Sequence, residues 1–195
     1  MIPSDSIAVI LAGGKSSRMQ QDKALLPFGE VNSLAEFQYR RLSKIFSKVY
    51  ISSKYNKFDF NVEVIEDRYK DSSPLVALVS IFEELEELEE IFLLSVDAPF
   101  VNEMIIDTLY KNNCSVDVVV AESNNGLEPL CAIYHRSCLI EAKRALEANR
   151  HRLHSLFENL NVKRVKIEDK FAFMNLNYPY EYEKAKKLDF MKSTI

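Results

Sequence analysis

Residues 7–23, IAVILAGGKSSRMQQDK, join a short apolar run to a polar segment that opens with two adjacent glycines. The run Ile7–Leu11 is continuous, which is typical of a strand buried on both faces of a parallel sheet. Residues 12–29 show no clear periodicity and carry glycines, serines and charges, so we predict a long loop there. The loop follows the carboxyl end of a strand, which is where open α/β sheets bind their ligands.

Outward from this stretch, predicted strands alternate with predicted helices. Helix starts are indicated by Ser33 with Glu36 three residues later, by Pro74 and by Asn102. We predict further strands at 49–53, 62–65, 91–96, 116–121, 130–134 and 162–167. We predict helices that begin at Ser33 and that span 74–90, 102–112, 137–148, 152–160 and 179–188. This alternation predicts an α/β fold with a mostly parallel sheet, in a single domain over residues 1–195.

Composition and charge argue against several functions. The 195 residues are 47% hydrophobic and 28% charged, with a formal net charge of −4, which is an ordinary globular mixture. No strongly basic block is present, so a nucleic-acid partner lacks its usual electrostatic footprint. No apolar run approaches the roughly 20 residues of a membrane span, and the first residues do not resemble a signal peptide. We therefore expect a cytoplasmic protein without a membrane partner.

The glycine-containing loop has the composition of a phosphate-binding site. Gly13 and Gly14 allow a ligand to approach the main chain closely, and the N–H groups that follow can face an anion. Lys15, Arg18 and Lys23 add positive charge, Arg18 through paired hydrogen bonds and Lys23 as a compact charge. The loop does not match GxxxxGK[ST], because position 9 is valine, and GxGxxG is absent. The alternative is a turn with solvated basic residues.

Polar residues also close two other predicted strands. Asp97 ends the most apolar strand, and a carboxylate in the same crevice as the loop could bind a Mg²⁺ ion that bridges triphosphate oxygens. Asp67 follows another strand. The alternatives are a cap or turn residue at position 97 and a solvated loop acid at position 67. Asn175 and Asn177 precede the last predicted helix, and each taken alone could be a plain cap.

Together these motifs closely resemble the signature of the molybdenum cofactor guanylyltransferase family, within the nucleoside-triphosphate transferase superfamily. The family pattern is LAGGxSxRMGxDKxLL, and residues 11–26 read LAGGKSSRMQQDKALL. Further matches follow in the same order at 64–67, 73–75, 96–99, 128–129 and 175–179. The resemblance spans nearly the whole chain.

The resemblance implies a Rossmann-like three-layer α/β/α fold of the nucleotide-diphospho-sugar transferase type. It also implies Mg²⁺-dependent transfer of GMP from GTP to molybdopterin-bound molybdenum, with release of pyrophosphate. Asp97 would bind Mg²⁺, and Lys23, Asp97 and Arg18 would be the catalytic residues. The implied nucleotide-binding residues are Leu11, Ala12, Gly13, Gly14, Lys23, Ser52, Asp67 and Asp97. Asn175 and Asn177 would face the acceptor, and proteins that deliver the cofactor or receive the product could be further partners.

The chain departs from the family pattern at three places. Gln20 replaces a glycine, the segment GPLxG is SPLVA at 73–77, and Ser52 stands where the family often has asparagine. Two alternatives stay open: a cytidylyl- or sugar-phosphate nucleotidyltransferase, and a nucleotide-binding protein without catalysis. Gly13 replaces the alanine of related cytidylyltransferases and leaves room for a purine edge, which favours GTP. Lys23 and Asp97 together favour catalysis.

Overall fold

The structure, a computed structural model, describes residues 1–13, 21–169 and 171–193, the last five of them as backbone alone. Its strands, numbered in chain order, are β1 (Ile7–Leu11), β2 (Lys48–Ser53), β3 (Glu63–Glu66), β4 (Glu90–Ser95), β5 (Val118–Ser123), β6 (Gly126–His135) and β7 (Val162–Lys166). Its α-helices are α1 (Leu34–Leu42), α2 (Pro74–Glu84), α3 (Glu103–Lys111), α4 (Leu139–Glu147) and α5 (Pro179–Ser193). Short 3-10 helices occur at Lys23–Leu25, Arg136–Cys138 and Leu153–Leu156.

The seven strands form one sheet in the order β3-β2-β1-β4-β6-β5-β7. Neighbouring strands are parallel except at β6, which runs antiparallel to both β4 and β5. The last residue of β1, Leu11, is level with Ser52 of β2 on one side and Ser95 of β4 on the other. The predicted α/β fold with a mostly parallel sheet is therefore confirmed, and three parallel carboxyl ends meet at one edge.

Two apolar clusters form the core, one on each face of the sheet. Along β1, Ala8 and Ile10 belong to one cluster, and Val9 and Leu11 belong to the other. This is the alternation that a strand imposes on its side chains. The first cluster includes residues of α1, α3 and α5, and the second includes residues of α2 and α4. The fold thus has the three layers that the family resemblance implies, and burial on both faces explains the continuous apolar runs.

Side-chain caps fix where the predicted helices begin. The Oγ atoms of Ser33 and Ser73 accept hydrogen bonds from the backbone N–H groups of Glu36 and Val76, each at 3.1 Å. The side chain of Asn102 caps α3 in the same way. Each bond satisfies an N–H group that the first helical turn leaves without a partner. The three predicted helix starts are confirmed.

The prediction that α2 continues through the acidic run to Glu90 is wrong. The helix ends at Glu84, and Glu90 is the first residue of β4. Arg136 explains the end of the helix, because its guanidinium donates to the backbone carbonyls of Phe82 and Leu85. Carbonyls at a helix end need such partners. The cation lies 54 and 51 residues later in the chain, so local periodicity could not reveal it.

The predicted helix at 152–160 is also wrong, because only the 3-10 helix Leu153–Leu156 forms there. Its two leucines are buried and lie three positions apart, a spacing that one turn of a 3-10 helix places on the same side. Other bounds shift by a few residues: β5 begins at Val118, β6 begins at Gly126, and α5 extends to Ser193. Within the described ranges no helix is long and apolar enough to cross a membrane. A single domain over residues 1–195 stays a prediction.

Candidate active site

The carboxyl ends of β1, β2 and β4 are joined beyond the strands themselves. The N–H of Ala12 donates to the carbonyl of Ser52 at 2.9 Å, and the N–H of Val96 donates to the carbonyl of Leu11 at 3.0 Å. These bonds continue the pairing past the last strand residues. They hold the start of the glycine loop against the turn that leads to Asp97.

Lys23, Asp97 and Asn177 form a hydrogen-bonded cluster at this edge. The Nζ atom of Lys23 donates to Asp97 Oδ2 at 2.6 Å and to Asn177 Oδ1 at 2.9 Å. Ser95 Oγ donates to the other carboxylate oxygen, Asp97 Oδ1, at 2.6 Å. The side chains of Lys23 and Asp97 are only 17% and 15% exposed, so water screens their attraction less than at an open surface. The fold thus unites residues 74 and 154 positions apart in the sequence.

Lys23 reaches this cluster from a short 3-10 helix. Asp22 Oδ1 accepts a hydrogen bond from the N–H of Ala24 at 3.0 Å, which caps the helix that begins at Lys23. The carbonyl of Leu26 then accepts from the N–H of Leu34 at 2.7 Å and joins the segment to α1. The later part of the predicted loop therefore has a regular structure, and Lys23 is its first residue.

A buried glutamine of α1 supports the turn that carries Asp97. Gln38 is fully buried, and its Nε2 atom lies 3.4 Å from the carbonyl oxygens of Ser95 and of Val96. Sequence reasoning missed this residue. A signal existed, because Gln38 lies four positions from both Leu34 and Leu42, on the side of α1 that faces the core.

Arg41, one turn further along α1, extends this support. Its guanidinium donates to Gln38 Oε1 and to the carbonyl of Val101. Burial lowers the pKa of Arg41 to about 10, while the nearby Cys131 raises it by less. The cation remains protonated at neutral pH and connects α1 to the segment that follows Asp97.

Asn177 is held by the chain that enters α5. The N–H of Leu176 donates to the carbonyl of Asp97 at 3.2 Å. Glu181 Oε2 accepts from the N–H groups of Asn177 and Tyr178 at 2.8 and 3.0 Å, so Glu181 caps the start of α5. The side chain of Asn177 is left to accept from Lys23. Within the described residues none of these bonds involves Asn175.

A cavity of about 150 Å³ adjoins this cluster, because its lining includes Ser95, the residue that donates to Asp97. It is lined by Leu11, Gly13, Ser52, Asp67, Ser72, Ser73, Pro74, Ala77, Ser95 and Leu130. Four of these residues, namely Leu11, Gly13, Ser52 and Asp67, are among those that the family resemblance implies for nucleotide binding. The strand order brings them together, because β1, β2 and β3 are neighbours.

Asp67, which lines this cavity, carries a buried carboxylate oxygen without a hydrogen-bond partner among the described residues. Its N–H donates to the carbonyl of Ser53 at 3.1 Å, which fixes its position after β3. Its Oδ1 atom is buried and has no hydrogen-bond partner among the described residues. Burial raises the pKa of Asp67, and Lys54 lowers it by a smaller amount. A buried acceptor without a donor costs about 1–3 kcal/mol, so the site suits a ligand that donates hydrogen bonds.

Lys57 is a second partly buried cation at this edge, and sequence reasoning missed it. Its Nζ atom donates to the carbonyl of Ala12 at 3.0 Å and to the carboxylate of Asp22. Its partners are 45 and 35 positions away, so no local pattern indicates the contact. Two residues of the predicted site, Gly14 and Arg18, lie outside the described residues.

Comparison with known proteins identifies the family. A family model described as the MobA-like NTP transferase domain matches residues 8–165. The chain belongs to the MobA-like NTP transferase domain family. The resemblance found in the sequence is therefore confirmed, and the chain is a member of a nucleotidyltransferase family.

Individual members of the family match over most of the chain. A molybdenum cofactor guanylyltransferase of Campylobacter jejuni is 40% identical over 181 residues, which are 91% of this chain and 94% of that protein. A molybdenum cofactor guanylyltransferase of Helicobacter pylori is 34% identical and covers 91% of this chain and 90% of its own length.

A solved structure shows the same fold. The molybdopterin-guanine dinucleotide biosynthesis protein A of Archaeoglobus fulgidus has a TM-score of 0.82 to this chain at 22% identity. The match covers 97% of this chain and 100% of that one, which confirms the Rossmann-like α/β fold.

Proposed function

We propose that this protein transfers GMP from GTP to molybdopterin-bound molybdenum, releases pyrophosphate and forms the guanine dinucleotide cofactor. The observation that carries the proposal is the cluster of Lys23, Asp97 and Asn177 beside the cavity lined by Asp67. The relatives named molybdenum cofactor guanylyltransferase support the choice of base and acceptor, since they match over nine-tenths of the chain.

The cavity supports guanine as the base. Guanine carries two adjacent donors on one edge, the N1–H and the 2-amino group, and the unpaired Oδ1 of Asp67 is a buried acceptor. Gly13 lies in the same lining and has no side chain to occupy the space. Leu11 and Ser52 complete the side of the cavity that β1 and β2 provide.

The triphosphate belongs next to Lys23. Lys23 is a compact cation placed at the carboxyl edge of the sheet, and we assign it to the phosphate groups. We assign Arg18 and the Gly13–Gly14 amides to the same phosphate groups because of their place in the family motif. Ala12 belongs to the same segment, and its carbonyl is held by Lys57.

The residues present fit a Mg²⁺ ion. Mg²⁺ is usually held by one or two carboxylates together with substrate phosphates and water, and Asp97 offers one carboxylate at the edge of the cleft. The carboxylate already faces a positive group, the Lys23 ammonium 2.6 Å from Oδ2, which supports the assignment of a cation to this edge. When bound, Mg²⁺ would neutralise the charge that develops on the leaving pyrophosphate.

The proposed reaction requires no covalent intermediate with the protein. A terminal phosphate oxygen of the pterin cofactor attacks the α-phosphorus of GTP, a new P–O bond forms, and the bond to the β-phosphate oxygen breaks. Because the attacking phosphate is already anionic, no general base is required. The side chains act by orientation and by charge stabilisation. We assign Asn177, with Asn175, to the acceptor side, and proteins that deliver or receive the cofactor to the same face.

The test is pyrophosphate release from GTP, CTP, UTP and ATP, each with Mg²⁺ and with or without the molybdopterin acceptor. We expect release that requires the acceptor and is at least tenfold faster with GTP. Equal rates for all four nucleotides would remove the guanine assignment. Nucleotide binding without any release, in the presence of acceptor, would favour the non-catalytic alternative.

A further inference from the structure

A partly buried ion pair connects the two ends of the segment between β1 and the first 3-10 helix. The Lys57 side chain is 10% exposed and that of its partner Asp22 is 33% exposed. The same Nζ atom donates to the carbonyl of Ala12 at 3.0 Å. Lys57 therefore contacts a residue next to Gly13 and a residue next to Lys23.

The Asp22 carboxylate passes this constraint on to Lys23. One oxygen, Oδ2, accepts from Lys57, and the other, Oδ1, accepts from the N–H of Ala24 at 3.0 Å. That second bond caps the 3-10 helix that begins at Lys23. The backbone position of Lys23 thus depends on a carboxylate whose other oxygen is held by Lys57.

We propose that Lys57 is a positioning residue for the nucleotide: it sets the distance between Ala12–Gly13 and Lys23. This inference rests on the proposed function, because it takes Gly13 and Lys23 as contacts of one nucleotide. Lys57 acts through Ala12 and Asp22 and is not assigned a contact with the substrate. Its charge matters because removal of the ammonium would leave the partly buried Asp22 carboxylate without its ion-pair partner.

A link between Gly13 and Lys23 is needed because no single element fixes the distance between them. Gly13 follows β1, whereas Lys23 lies on the segment that leads into α1, so no strand or helix of the described residues contains both. A shift of about 1 Å between groups that bind one substrate can cost up to 100-fold in rate. Removal of Lys57 should therefore weaken nucleotide binding, because Ala12–Gly13 and Lys23 would no longer be held at one distance.

The direct experiment measures the dissociation constant of GTP with Mg²⁺ by isothermal titration for the wild type and Lys57→Met. Methionine keeps an apolar stem of similar length and removes the ammonium. We expect the dissociation constant to rise at least tenfold. Lys48→Met is the matched control, because Lys48 also pairs with a carboxylate, Glu63, at the opposite end of β2. Its dissociation constant should stay within twofold of the wild type.

Asp22→Asn provides a second, independent variant. Asparagine keeps the cap on Ala24 but loses the charge that pairs with Lys57. We expect its dissociation constant to rise about fivefold, and we expect Lys57→Met to have less than half of its usual logarithmic effect in the Asp22→Asn background. If Lys57 only supported the fold, Lys57→Met would lower the melting temperature and this coupling would be absent. If Lys57→Met does not fold, an unchanged affinity in Asp22→Asn overturns the proposal.

The failure of this inference can be told apart from failure of the proposed function. If the wild type binds GTP and Lys57→Met binds it with the same affinity, only the proposed role of Lys57 is overturned. If another nucleotide binds instead of GTP, the guanine assignment fails, and Lys57 is judged on that nucleotide by the same tenfold criterion. Absence of binding by any nucleotide overturns both.

Discussion

At the scale of single residues, Asp97 has both carboxylate oxygens engaged, one by Ser95 and one by Lys23. Asp97→Asn keeps the size of the side chain but removes the charge that Mg²⁺ and Lys23 require. We expect kcat to fall at least 100-fold, equivalent to about 2.7 kcal/mol of barrier. The measurement is GTP-dependent pyrophosphate release across a Mg²⁺ titration.

A matched control for Asp97→Asn is Asp107→Asn, which removes a carboxylate from the ion pair between Asp107 and Lys111 on α3. Its kcat should equal that of the wild type. Urea melts of Asp107→Asn should show a change of less than about 1 kcal/mol in the free energy of unfolding, because its ion pair with Lys111 is partly exposed. A full rate in Asp97→Asn at equal Mg²⁺ would show that this carboxylate has no catalytic role.

Asp67 gives a pH-dependent prediction. Burial raises its pKa in the folded protein, so folding favours the protonated form. The stabilisation that this gives is fully present below the ordinary aspartate pKa of about 4 and is lost as pH rises through the folded-state pKa. Asp67→Asn cannot titrate. The stability of the wild type relative to Asp67→Asn should therefore decrease between about pH 4 and pH 7.

Paired urea melts of wild type and Asp67→Asn at the two pH values test this directly. A relative stability that increases toward neutral pH would contradict the buried, unpaired carboxylate. At pH 7 the same variant should bind GTP about tenfold more weakly, a loss of about 1.4 kcal/mol, because one acceptor oxygen is replaced by a donor.

At the scale of elements, helix α1 acts as a support for the turn after β4. Gln38→Leu should keep the packing volume but leave the carbonyls of Ser95 and Val96 and the Arg41 guanidinium short of partners. We expect a loss of about 1–3 kcal/mol in the free energy of unfolding. We also expect kcat to fall about tenfold, because the turn carries Asp97, a loss equivalent to about 1.4 kcal/mol.

Leu42→Val separates the two effects on the same helix. Leu42 is fully buried, and removal of one methylene group should cost about 1 kcal/mol of stability. Its kcat should be unchanged, since Leu42 packs in the core and does not bond to the turn. Equal kcat values for Gln38→Leu and Leu42→Val would show that α1 contributes packing only.

The elements also show what local sequence could predict. Strand β1 is predicted with its observed bounds because an isolated apolar run has few alternatives, and the helices that begin after Ser33 and Ser73 start where a cap and Pro74 require. The end of α2 was mispredicted because Arg136, a distant cation, binds its last carbonyls. Local patterns specify starts better than ends, because caps are nearby in sequence and tertiary partners are not.

At the scale of the whole molecule, the parallel sheet explains how much of the site could be predicted. Residues that follow parallel strands must meet at one edge, so Asp67, Asp97 and the glycine loop could be placed together from sequence. Lys57 and Arg41 could not, because each makes contacts that depend on how distant segments pack. Motifs with the chemistry of a ligand are visible in sequence, whereas the residues that hold those motifs in place become visible only in the fold.

Ligand binding should stabilise the whole molecule in a nucleotide-specific order. GTP with Mg²⁺ at about 100 times its dissociation constant should add about 2.7 kcal/mol to the free energy of unfolding. ATP, CTP and UTP at the same concentration should add less, because they lack the paired donors that suit Asp67. Thermal melts with each nucleotide provide the comparison, and equal shifts for all four would contradict guanine selection.

The most direct measurement is a competition in one reaction mixture. The wild type is incubated with equal concentrations of GTP, ATP, CTP and UTP, Mg²⁺ and molybdopterin-bound molybdenum, and the dinucleotide product is identified by mass spectrometry. The proposed function predicts a product that carries GMP, formed at least 100-fold more slowly by folded Asp97→Asn. A product that carries CMP, AMP or UMP, or equal yields from the two proteins, would contradict it.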